Sequence, residues 1–238
     1  MKISEDHKPK RMPIRGVSDW GSIALRHIME FNPKLLKNPE VFDPDAFISE
    51  YLQLPILKLP MFLSYIDGFI TLEEMLFPIG KNDIPIESGS IVINELIQNN
   101  TVDERYIKTH EAAHWIRDTG YSAGKRFSHY CCKNFSVRIN WMDTAQLTQY
   151  FSNSFDAEHE TAANGVANHL LMPSSTFIPL VMELMLQHSI RDLQLIVGEH
   201  DSEAEDIINV LAETYCVPKY AVRNHLCIHG FYIDLGQV

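Results

Sequence analysis

Apolar and polar positions divide the 238-residue chain into helical stretches toward both ends and short extended runs between them. Ile23, Leu25, Ile28, Met29 and Phe31 recur near a 3.6-residue period. They predict a helix over 20–31, capped by Ser18 or Asp19 and ended by Asn32-Pro33. Asp43-Pro44 has the form of a cap followed by a proline at the first helical position. Phe47, Ile48, Tyr51 and Leu52 supply the buried stripe of that second helix. From Leu54 the pattern changes to short apolar runs, 55–60, 68–72 and 90–94, bounded by Pro and Gly, with a turn-rich stretch over 80–85. These predict strands of a small sheet.

A helix follows through His110 with Gly120 as its stop, and another over 158–172 ends at Pro173. The inner face of the latter is Ala163, Val166, Ala167, Leu170 and Leu171. Between them, 118–155 carries Phe127, Tyr130, Phe135, Val137 and Ile139, which suggest a strand or long hairpin over the site. Residues 174–238 read as mostly helical, with Ile178, Leu180, Val181, Leu184 and Met185 on one apolar face and Met182 and Met185 as core filler. A shorter piece lies at 192–197 and a further helix at 201–213. Residues 211–226 have a helix-turn-helix layout. The expected organisation is a flexible tail over 1–16, a main domain over 17–175 and a helical segment over 176–238.

Composition narrows the class. At 45% hydrophobic and 21% charged, the chain is an ordinary globular one, and no run of 18 apolar residues predicts a membrane span. The N-terminus lacks an apolar stretch behind its charges and does not read as a secretory signal. Cys131, Cys132, Cys216 and Cys227 do not form a disulfide pattern, so a reduced, cytoplasmic protein is expected. A net charge of −11 disfavours nucleic acid as a direct partner. Lys219, Arg223 and His225 are a thin basic set for a recognition helix.

The chemistry is concentrated at His110-Glu111-Ala112-Ala113-His114. On a helix the two histidines lie one turn apart on one face and can hold one zinc ion, while Glu111 projects about 100° further round. From there it can deprotonate a metal-bound water. The bland alternative is a surface helix with two solvated histidines. Small Ala112 and Ala113, and the apolar Trp115 and Ile116, favour a packed helix instead. The longer metzincin pattern is excluded, because Arg117 and Gly120 stand where Gly and His are required.

The third ligand must then come from elsewhere. Glu160 lies one turn before Ala163, at the edge of the inner face of its helix, where a carboxylate is costly unless paired or metal-bound. His159 falls near the same face and competes, and a first-turn acid favoured by the helix dipole is the plain alternative for Glu160. A second metal site at His129, Cys131 and Cys132 is less favoured, since Cys is more often a small buried hydrophobe. Tyr106, Tyr121, Tyr130 and His129 are candidate oxyanion donors, and Asp118 a candidate acceptor orienting His114. The fold class expected is α+β and zincin-like, mostly helical, with a small mixed sheet beside the zinc helix.

Three segments together resemble the ImmA/IrrE family of bacterial metallopeptidases. They are 89–94 ahead of the helix, 109–115, and Glu160 through Ala163-Asn164, Ala167 and Leu170-Leu171-Met172-Pro173. The resemblance implies His110, His114 and Glu160 as zinc ligands and Glu111 as general base. It also implies a helix-turn-helix transcriptional repressor as the protein substrate. The chain departs from the pattern at Val166, where Phe is usual, and at Gly165, which weakens a helix by about 1 kcal/mol. Two other functions are compatible with these motifs: a non-catalytic zinc-dependent protein that sequesters a repressor, and a DNA-binding regulator using 207–230.

Overall fold

In a computed structural model, the described residues are 16–61, 67–71, 74–79, 82–95, 101–119 and 157–233. They form a mixed α+β structure of helices packed on one another beside small sheets. Helix α1 (Gly16–Phe31) begins earlier than its pattern predicts, and Gly16 belongs to it. Its buried face is also different: Trp20, Ala24, His27 and Ile28 are buried, whereas Leu25 and Met29 are exposed. The face is chosen by what lies opposite: Trp20 packs on Gly165 of α4 (Ala157–Leu171).

A 3-10 turn (Pro33–Leu36) leads to α2 (Pro44–Ala46), which continues as a π turn (Phe47–Leu52). The Asp43-Pro44 cap forms as expected: Asp43 Oδ1 accepts from the N–H groups of Asp45 at 3.0 Å and Ala46 at 3.1 Å. Phe47, Ile48 and Leu52 are buried, and Phe31, Phe42, Phe47 and Tyr51 pack ring against ring.

Strands β1 (Ile56–Leu59), β2 (Gly68–Ile70) and β5 (Ile91–Asn94) make a three-stranded sheet in the order β1-β5-β2. The central β5 runs parallel to β1 and antiparallel to β2, so the sheet is mixed. All four residues of β5 are buried, as a strand covered on both faces must be. A separate hairpin, β3 (Met75–Ile79) with β4 (Asn82–Ile86), occupies what the sequence presents as a turn-rich stretch. Pro78 and Pro85 sit within it, which a two-stranded ribbon tolerates because its outer edges need no donors.

Helix α3 (Thr101–Thr119) packs between this sheet and α4. Gly68 lets β2 approach it closely, since a Cβ there would meet Ile107 Cγ2 at 2.7 Å. Lys108 of α3 is buried and anchored by Asp45 at 2.7 Å and Glu104 at 2.8 Å, which ties α3 to α2.

Beyond Pro173, α5 (Ser174–Gln187), α6 (Asp201–Tyr215) and α7 (Lys219–Ile228) close the far side of α4. Among the described residues the larger hydrophobic core runs from Trp20 to Leu226, and a smaller one joins Val92 of β5 to Met75, Phe77 and Ile86 of the hairpin. The 192–197 piece is no helix but carries β6 (Leu195–Ile196), paired in parallel with β7 (Tyr232–Ile233). Met185 is core, while Met182 faces solvent. Among the described residues no single helix is long and apolar enough to cross a membrane. The apolar α4 and α5 bend by 77° relative to each other and bury their faces in the core.

Candidate metal centre

Helices α3 and α4 bring the three expected ligands together. His110 Nε2 lies 3.1 Å from His114 Nε2 and 3.1 Å from Glu160 Oε2, and His114 Nε2 lies 3.3 Å from Glu160 Oε1. The one-turn spacing of the histidines accounts for the first distance. The close packing of α3 on α4 accounts for the others.

The donor set fits a divalent zinc ion. Ligands about 2.0–2.1 Å from a tetrahedral zinc lie ~3.3 Å from one another, close to the separations here. The two Nε2 atoms, 3.1 Å apart, crowd each other if both carry a proton toward Glu160, whereas both can turn a lone pair to one cation. The carboxyl of Glu160 is driven up by burial, but hydrogen bonds from His110 and His114 outweigh this and hold it well below the usual carboxylate range. Burial lowers the pKa of His110, yet Glu160 and the charge of Glu111 raise it overall.

Glu111 is the buried neighbour of this cluster. Its burial pushes the carboxyl pKa upward, against the charges of His110 and His114 and a hydrogen bond from the backbone of Ile70. Ile70 belongs to β2. Thr71 N–H bonds to Ser90 O and Asn94 N–H to Asp67 O, so antiparallel alternation turns the backbone groups of residues 68 and 70 away from β5. Among the described residues no strand pairs with that outer edge.

Asn164, one turn after Glu160, accepts the Tyr106 hydroxyl at 3.1 Å and favours an N–H on the His110 ring. Tyr106 is therefore tied to Asn164 and packs edge-on against Tyr220 at 5.3 Å. The Asn164 bond links α3 to α4. The sequence offered Asn164 only as part of the motif, because its partner is 58 residues away. Tyr121, His129, Tyr130, Cys131 and Cys132 lie outside the described residues, as do the side chains of Asp118 and His159.

The helix-turn-helix layout does form, with Cys216 in the left-handed region at φ 52° between α6 and α7. Its basic residues are spent internally, however. Lys219 and Arg223 both pair with Glu205 of α6, at 2.7 and 2.6 Å, and His225 is fully buried.

No protein-family model matches the chain, and no curated protein matches it.

Proposed function

We propose that the protein is a zinc-dependent endopeptidase whose substrate is a helix-turn-helix transcriptional repressor. The observation that carries this reading is the convergence of His110, His114 and Glu160 with buried Glu111 beside them. A buried carboxyl with a raised pKa next to a ligand cluster is the arrangement expected of a general base.

His110, His114 and Glu160 hold the ion. Zinc supplies Lewis acidity toward water and the scissile carbonyl. Glu111 takes a proton from the attacking water and returns it to the leaving amine nitrogen. The outer edge of β2, running beside α3, pairs with an extended stretch of substrate through its groups other than the Ile70 N–H, which Glu111 holds. The internal pairing of Lys219 and Arg223 with Glu205 supports a packing or docking role for α6 and α7 over DNA reading. The repressor substrate rests on the resemblance of the three motif segments to ImmA/IrrE peptidases.

The test is incubation of the zinc-loaded protein with a repressor encoded beside it, followed by mass spectrometry of the products. Discrete, zinc-dependent fragments are expected. One tightly bound zinc without cleavage makes the protein a sequestering regulator instead.

A further inference from the structure

A second histidine cluster lies on the opposite side of α4 from any role described above. We propose that His169, His225 and His229 form a second metal site, for a divalent transition ion of the zinc class, which clamps α7 onto α4.

One ring nitrogen of each histidine lies within 4.8 Å of those of the other two. The ring centroids are 4.7 Å apart for His169 and His225, 4.6 Å for His225 and His229, and 5.5 Å for His169 and His229. Movements of ~1 Å bring such nitrogens to the ~3.3 Å edge of a tetrahedral site.

The hydrogen bonds decide which nitrogens are available. His169 Nδ1 is 2.8 Å from Gly165 O, and His225 Nε2 is 2.9 Å from Met172 O. A carbonyl only accepts, so both of those nitrogens carry the ring proton. His169 Nε2 and His225 Nδ1 are left as lone pairs. His225 Nδ1 is buried and has no hydrogen-bond partner, within a residue that is 0% exposed. A ligating histidine characteristically commits its other N–H to a carbonyl in this way, which sets tautomer and ring orientation before the ion arrives.

His229 is only half-buried, which leaves a path for the ion, and Ser174 Oγ lies 3.3 Å from its Nε2. Three imidazoles without a carboxylate suit Zn2+, Cu2+ or Ni2+ and not the oxygen-seeking Mg2+ or Ca2+. The spacing of His225 and His229, four residues apart, is the one sequence signal for the site. The bland alternative is edge-on aromatic packing, since Phe177 sits 4.5 Å from the His225 ring.

The experiment is a titration of full-length His110→Ala/His114→Ala protein with Co2+, followed by its visible absorption, with folding checked by far-UV circular dichroism. One Co2+ per chain is expected, and its failure to bind overturns the proposal. Adding His229→Ala at a half-buried position is expected to weaken that binding by about 100-fold or more. Unchanged binding there assigns the ion to surface histidines and also overturns the proposal. In the otherwise natural chain, His229→Ala is expected to lower the Co2+ count by one and leave His110, His114 and Glu160 loaded.

Discussion

The indole of Trp20 on α1 occupies the space that a side chain at Gly165 of α4 would need. A Cβ at 165 would overlap the ring, so the two helices can meet this closely only along a glycine. The glycine that weakens α4 in isolation therefore seats α1 on the helix that supplies Glu160. Gly165→Ala, which would stabilise a free helix by about 1 kcal/mol, is expected to destabilise this protein by about 1–3 kcal/mol through overpacking. Chemical denaturation checks this. A second substitution, Trp20→Leu, should restore part of the loss, and strict additivity of the two would contradict the contact.

Glu111→Gln keeps the shape of the buried side chain but cannot take a proton. Zinc content is expected to remain at the wild-type level while cleavage falls by about 10³-fold or more. Metal analysis and product mass spectrometry on one sample read both quantities. Turnover near wild type would remove Glu111 from the role of base.

Glu160→Ala removes the one anionic donor among the three ligands. Zinc affinity is expected to fall by about 100-fold or more, and chelator treatment of the wild type should abolish cleavage and be reversed by added zinc. Competition against a zinc-binding dye measures the affinity. An undiminished affinity would transfer the third-ligand role to another residue, and His159→Ala is then the informative variant.

His27 is fully buried between α1 and the π turn, with its Nδ1 at 2.9 Å from the Tyr51 hydroxyl. Burial, assisted by Arg26, lowers its pKa from 6.5 to about 4. Above pH 6.5 the ring is neutral in both folded and unfolded chains, and it contributes no pH dependence. Between pH 6.5 and about 4 the unfolded chain takes up a proton that the folded one refuses, so stability falls with acidification, by up to about 3 kcal/mol. His27→Phe should flatten the decline of the thermal midpoint across that window. An unaltered slope would show that other groups set the acid sensitivity.

Local pattern alone determined much of this protein. The one-turn spacing of His110 and His114, the Asp43-Pro44 cap, the apolar runs of β1, β2 and β5, and the inner face of α4 all depend on neighbours within a few residues. Periodicity and capping report such neighbours directly. The helical wheel also put Glu160 at the edge of the packed face, which is where it meets the two histidines. Other features depend on what lies across an interface. The buried face of α1 follows the groove at Gly165 and not the most apolar stripe, so Leu25 and Met29 are left exposed. The β3–β4 hairpin hides behind its prolines, and Leu195–Ile196 becomes a strand only because Tyr232–Ile233 is there to pair with it. Asn164 finds Tyr106, and His169 finds His225, across separations of 58 and 56 residues that no local pattern encodes. Tertiary packing decides these because the energy of each contact belongs to both partners, and a linear reading sees only one of them at a time.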